Sequence, residues 1–204
     1  MIAIMNYGIG NLGSVKNALD YLGYESKITS NKEEILSADK VILPGVGAFS
    51  DAMDTFLSYG FDEVIHKLIE KNTPILGICV GMQLLFEESE EYGIHKGLGL
   101  LKGRIIKFDQ TKDNVTYKIP QVGWNQIHIT NHNPLLEGLD GKDVYFVHSY
   151  YLSDANEEDI ISKTEYAGTI YGSAVRKGNL YACQFHPEKS GEVGLAILNN
   201  FCKL

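Results

Sequence analysis

Pro74-Ile75-Leu76-Gly77-Ile78-Cys79-Val80-Gly81-Met82-Gln83 carries an apolar run into a glycine-flanked turn and out into a helical pattern. Residues 75–78 read as a short buried strand, and residues 81–90 as the helix that follows it. The same alternation runs back to the amino end. Ile2–Met5 reads as a strand, Gly8, Gly10 and Gly13 as a turn, and residues 15–22 as a helix closed by Gly23. Residues 25–29 form a second strand. Asn31 is placed to cap a short helix with Glu33 and Glu34 in its first turn. Residues 40–43 form a third strand, stopped by Pro44-Gly45, and two helical patterns fill residues 48–71. Short apolar strands alternating with helices predict βαβ units and a parallel sheet covered on both faces.

Beyond this region the pattern changes. Residues 104–108, 124–129, 144–150, Ile160–Tyr166 and 180–185 read as strands, with little helix before residues 192–203. Residues 109–114 are polar and predict an exposed loop. The predicted fold is therefore α/β: a mostly parallel central sheet flanked by helices, with added antiparallel strands. No Pro/Ser-rich linker and no repeat divides the chain, so residues 1–204 are read as one domain.

Composition narrows the function classes. With 26 Asp+Glu against 18 Lys+Arg the net charge is −8, which repels nucleic acid and anionic membrane. No apolar run reaches the roughly 20 residues of a bilayer span. Met1 to Met5 has no basic flank and is followed by polar Asn6, unlike a secretory signal. Three Cys fit reduced thiols and a cytoplasmic location better than a disulfide framework.

Gly77-Ile78-Cys79-Val80-Gly81 has the spacing of a nucleophile elbow, where the strained turn leaves no room for Cβ atoms on either side. The helix amino end behind it favours a thiolate, and the Val80 N–H can donate to an oxyanion. The pentapeptide alone fits a buried structural Cys equally well. Gln184-Phe185-His186-Pro187-Glu188 breaks the tie. In an extended segment His186 and Glu188 share a face, so the carboxylate can hold the imidazole in one tautomer. Cys79, His186 and Glu188 then make a thiol-nucleophile triad. Pro44-Gly45-Val46-Gly47 follows a strand, and its glycines permit a backbone N–H to turn toward a developing oxyanion. Gly8-Ile9-Gly10-Asn11-Leu12-Gly13 matches a dinucleotide fingerprint, but the second strand ends at Thr29-Ser30-Asn31 without the required acid. That loop is assigned instead to the carboxyl edge of the sheet, near a partner or the active site. The His residues are scattered and show no metal-ligand spacing, so neither metal nor cofactor is expected. Cys183 and Cys202 read as thiols without a role.

Gly77-Ile78-Cys79-Val80-Gly81-Met82-Gln83 together with Gln184-Phe185-His186-Pro187-Glu188 resembles the class I (triad) glutamine amidotransferases, whose fold is flavodoxin-like. Within that class the chain resembles the glutaminase subunits of imidazole glycerol phosphate synthases. The signs are Tyr7-Gly8-Ile9-Gly10-Asn11, Pro44 to Gly47, Val122-Gly123-Trp124-Asn125, Tyr145 to Tyr150 and Lys189-Ser190. The resemblance implies that Cys79 attacks the glutamine amide, His186 is general base and acid, and Glu188 orients it. It implies an oxyanion hole from the N–H of Val80 and one within Gly45, Val46 and Gly47. Gln83, His148, Ser149 and Tyr150 would seat L-glutamine. The implied partner is a (βα)8-barrel cyclase, faced by Asn11, Pro120, Gln121, Trp124 and Lys189, which receives the ammonia in histidine biosynthesis. The family usually has Pro-His-x before Gly-Trp-Asn, where this chain has Pro120-Gln121-Val122. That departure keeps open a paralogue that feeds ammonia to a different synthetase, as in surface-sugar modification. A thiol hydrolase on the same sheet is disfavoured by Gln83, and a non-catalytic binding module by the intact triad.

Overall fold

A computed structural model describes residues 1–112 and 114–204. The amino half contains β1 (Ile2–Met5), α1 (Leu12–Tyr21), β2 (Ser26–Thr29), α2 (Lys32–Ser37) and β3 (Lys40–Gly45). It continues with α3 (Phe49–Ser58), α4 (Phe61–Glu70), β4 (Ile75–Cys79) and α5 (Val80–Gln83). The carboxyl half contributes β5 (Glu88–Ser89), β6 (His95–Lys96), β7 (Arg104–Lys107), β8 (Thr111–Lys112), β9 (Val115–Thr116), β10 (Gln121–Gln126) and β11 (His128–Ile129). It ends with β12 (Asp143–His148), β13 (Tyr150–Ser153), β14 (Ile160–Tyr166), β15 (Thr169–Lys177), β16 (Leu180–Cys183) and α6 (Gly191–Cys202).

The main sheet runs β11-β14-β15-β16-β4-β3-β1-β2. β2, β1, β3, β4 and β16 are mutually parallel, and β15, β14 and β11 extend the sheet antiparallel beyond β16. β1 and β4 are buried along their whole length, as parallel strands covered on both faces must be. Helix α1 packs against α6, and α2 and α3 pack against α4. Their apolar stripes (Val15, Ala18 and Leu19 on α1; Val64, Ile65 and Leu68 on α4) face the core. A ribbon of β10 and β12 stands apart from the main sheet, as does a four-stranded sheet ordered β13-β7-β5-β6.

Several local expectations need correction. β3 does not stop at Pro44-Gly45 but runs through both. β1 pairs with β3 only as far as Ile42, so Pro44 borders β4 alone and its missing N–H removes no bond on the β1 side. The helix after Cys79 is four residues long, not ten. Leu84, Leu85 and Phe86 are buried on all sides, and their carbonyls accept N–H donors from residues 98–101 instead of continuing the helix. The run 124–129 splits into β10 and β11 in different sheets, and 144–150 splits into β12 and β13. β15, a nine-residue strand, went unread because Gly172 and Ser173 interrupt its apolar pattern. Ala167 and Gly168, both at positive φ, turn β14 into it as a tight hairpin. The polar stretch 109–114 contains the short hairpin β8–β9; Asp113 lies outside the described residues.

Candidate active site

The Cys79 turn is built by close backbone approach. Cys79 has φ +55° and ψ −112°, a conformation rare for a residue with a side chain. A Cβ on Gly81 would sit 2.0 Å from the Leu43 carbonyl oxygen, and one on Gly77 would sit 2.9 Å from that of Gly81. Only glycine fits either position. Gly45, expected in the oxyanion segment, pairs with Cys79 in register and does not line the cavity. Its Cβ would lie 2.5 Å from Gly81 N, so its small size lets β3 pack against the turn. With α5 so short, a helix dipole contributes little at Cys79.

His186 and Glu188 come from the other side of β4. β16, parallel to β4, delivers Gln184 and His186 to the same sheet end as Cys79. His186 itself is extended, but Pro187–Lys189 forms a 3-10 turn. The two side chains therefore meet across a turn, not along the expected extended strand. His186 Nδ1 lies 2.8 Å from Glu188 Oε1, and both side chains are 1% exposed. Asn11 Nδ2 donates to the same carboxylate oxygen at 3.1 Å. The backbone is pinned as well: His186 N–H donates to Tyr145 O at 2.9 Å, and the Ser190 hydroxyl donates to His186 O. Burial lowers the His186 pKa, but Cys79 and Glu188 overcome it and hold the imidazole up near about 10. Its Nε2 is buried and has no hydrogen-bond partner among the described residues.

A cavity of about 170 Å³ opens over the sulfur. It is lined by Cys79, Val80, Gln83 and His186, by Val46 and Gly47, and by His148, Ser149 and Tyr150. Gly47 sits at φ +89° with open space around its Cα. Gln83 Nε2 donates to Gln184 Oε1 at 3.0 Å, and Gln184 Nε2 lies 3.6 Å from Cys79 Sγ. His148 Nδ1 is 2.7 Å from the Tyr150 carbonyl oxygen. Burial pushes His148 down to about 4, partly countered by that carbonyl.

Two residues of the site had no signal in the pattern. Glu91 lines the cavity, and its Oε2 accepts from Phe49 N–H at 2.7 Å. It lies in an irregular turn, where periodicity says nothing. Gln184 stands two residues before His186, and only the docking of β16 beside β4 brings its carboxamide to the Cys79 sulfur. Of the residues expected to face a partner, Pro120, Trp124 and Lys189 are exposed. Asn11 is turned instead toward Glu188. Gln121 is fully buried, because β10 alternates and places Val122 and Trp124, not Gln121, on the outer face. Cys183 and Cys202 are buried free thiols. Among the described residues, no group of three or more His, Cys, Asp or Glu could hold a metal ion.

A cysteine on a strained strand–helix turn, a carboxylate-held imidazole and a doubly wound sheet define a thiol amidohydrolase architecture. The family model "Glutamine amidotransferase class-I" matches residues 3–204, and the chain belongs to that family. The imidazole glycerol phosphate synthase subunit HisH of Wolinella succinogenes is 47% identical over 205 residues, covering all of both chains. The subunit of the same name from Caldanaerobacter subterraneus is 51% identical, over 98% of this chain and 97% of that one. A glutamine amidotransferase crystal structure superposes with TM-score 0.74 at 20% identity, covering 98% of each chain, and shares the fold.

Proposed function

We propose that the chain is the glutaminase subunit of an imidazole glycerol phosphate synthase. In this reading it hydrolyses glutamine and passes the ammonia to a cyclase subunit for histidine biosynthesis. The observation that carries the reading is that Cys79 and His186 line one small cavity, with the Glu188 carboxylate 2.8 Å behind the imidazole. The Cys79 thiolate attacks the side-chain carbonyl of glutamine. Val80 N–H and an N–H of the Val46–Gly47 segment stabilise the oxyanion; one such donor is worth about 3 kcal/mol. Gly47 stands at φ +89°, a conformation that glycine adopts readily, which suits a peptide that turns to present its N–H. Protonated His186 gives its proton to the departing nitrogen, the C–N bond breaks, and ammonia leaves a glutamyl thioester on Cys79. His186 then takes a proton from water, the resulting hydroxide attacks the thioester, and glutamate and thiol are regenerated. Gln184 donates an N–H toward the sulfur, and Glu91, the one carboxylate on the cavity wall among the described residues, suits the substrate's ammonium.

The partner reading is a (βα)8-barrel cyclase that meets the outer face of β10 at Val122 and Trp124, with Pro120 and Lys189 beside it. Release of ammonia next to its acceptor avoids protonation to ammonium. One contiguous apolar core supports residues 1–204 as a single domain. Among the described residues no helix is long and apolar enough to cross a membrane, which fits the cytoplasmic assignment.

The test is glutamate release from glutamine, by the chain alone and with a cyclase subunit and its phosphoribosyl substrate. Stimulation that Cys79→Ala abolishes is expected. Activity that needs Cys79 but ignores the cyclase would overturn the partner, and would favour a paralogue serving another synthetase.

A further inference from the structure

A series of polar side chains, buried except for half-buried Asn125 at its outer end, leads away from the cavity, and the catalytic steps do not use it. Asn125 and Gln121 are joined through their carboxamides at 2.9 Å. The Gln121 carboxamide meets the Tyr171 hydroxyl at 2.9 Å, and that hydroxyl lies 3.2 Å from His148 Nε2. His148 Nδ1 lies 2.7 Å from the Tyr150 carbonyl oxygen, which also receives Gln83 Nε2 at 3.5 Å. Gln121 is 0%, Tyr171 2% and His148 7% exposed, so none can turn to water for a partner.

Counting protons orients the series. The His148 ring is surrounded by the rings of Phe108, Phe146 and Tyr171, its nitrogens meet a carbonyl and a phenol, and burial holds it neutral. A neutral imidazole has one N–H. The Tyr150 carbonyl can only accept, so Nδ1 carries that proton and Nε2 accepts from the Tyr171 hydroxyl. The hydroxyl has a single proton, so its oxygen takes an N–H from Gln121, whose carbonyl in turn takes one from Asn125. Carboxamide oxygen and nitrogen are of similar size, and both amides can turn over in place to satisfy this. Every donor then points inward, and the series ends on the Tyr150 carbonyl at the cavity wall.

We propose that Tyr171, held by Gln121, is a positioning residue for glutamine: through the His148 ring it fixes the 148–150 turn against which the amino-acid end of the substrate rests. This rests on the reading of the cavity as a glutamine site. Tyr171→Phe keeps the ring and removes the hydroxyl; Gln121→Met keeps the length and removes the amide. In the complex with the cyclase subunit and its substrate, each variant raises the KM for glutamine by about tenfold and leaves kcat within about twofold. The double variant is no worse than the worse single one, because both cut the same series. Alkylation of Cys79 by iodoacetamide, which does not need the glutamine seat, keeps its wild-type rate.

An unchanged KM, a fall confined to kcat, or multiplicative KM effects in the double variant would overturn the proposal. So would loss of alkylation together with activity, which marks a general collapse of the site. If Tyr171→Phe does not fold, Gln121→Met decides through the same split of KM and kcat. A wild-type chain that is alkylated at Cys79 yet releases no glutamate in the complex overturns the glutamine reading, and this proposal with it. An active wild type with unaffected variants overturns this proposal alone.

Discussion

His148 and His186 are both buried imidazoles, and their surroundings drive them in opposite directions. His186 has Glu188 at 2.8 Å and the Cys79 sulfur beyond, so its charged form is favoured up to about 10. His148 has a carbonyl, a phenol and aromatic rings beside it and the His186 charge nearby, so burial dominates, His186 adds to it, and its charged form is disfavoured down to about 4. The linkage to stability follows. A His raised above 6.5 contributes stability that is full below 6.5 and lost as pH rises toward its folded value. A His lowered below 6.5 does the reverse: its contribution is full above 6.5 and lost as pH falls toward about 4. Thermal melts over that acid range are therefore expected to fall more steeply for wild type than for His148→Gln, which has no proton to take up. Equal slopes would mean that His148 is accessible to protons in the folded state. Neither shift was legible in the sequence. His186 was singled out by the carboxylate two positions on, whereas His148 depends on Phe108 and Tyr171, which lie far away along the chain.

At the scale of the element, the Cys79 turn is a matter of backbone proximity. β3 and the start of α5 approach so closely that Gly45, Gly77 and Gly81 have no space for a methyl group. Gly81→Ala would drive its Cβ against the Leu43 carbonyl, whose place is set by the β3–β4 ladder. Its unfolding free energy in urea is expected to fall by about 3 kcal/mol or more. Gly47→Ala is the comparison: its surroundings are empty, so the strain of φ +89° alone applies, worth about 1 kcal/mol. Similar losses in the two variants would mean that β3 yields. The strand, the turn and both flanking glycines were readable because they are local. The length of α5 was not, because Leu84 to Phe86 give their carbonyls to a segment that returns from residues 98–101.

At the scale of the molecule, β10 has two faces with two uses. Its inner side chains Gln121 and Asn125 enter the buried hydrogen-bond series, while Val122 and Trp124 stand outward at 53% and 54% exposure. A large exposed indole beside Val122 is the feature on which the proposed docking of the cyclase rests. Trp124→Ala is expected to weaken cyclase binding by about 2 kcal/mol or more, seen by titration calorimetry, and to leave the melting temperature unchanged. Unaltered affinity would move the interface away from this ribbon. Gln121, expected among the partner-facing residues, is buried for the same reason. The period of two along β10 turns Gln121 inward, and strand register is set by the pairing of Gln121 with His148, which no local pattern announces.

The sequence by itself determined the class of fold and singled out Cys79 and His186 as the proposed nucleophile and base, since a Gly-x-Cys-x-Gly turn after an apolar strand and a His-Pro-Glu run are dictated by neighbours a few residues apart. The tertiary structure alone decided what surrounds them. Asn11 reaches Glu188 across 177 positions, and Gln184 reaches the Cys79 sulfur across 105. Such contacts exist only after β16 has docked beside β4, and the direction of a proton in the His148 series depends on burial that no short segment can supply by itself.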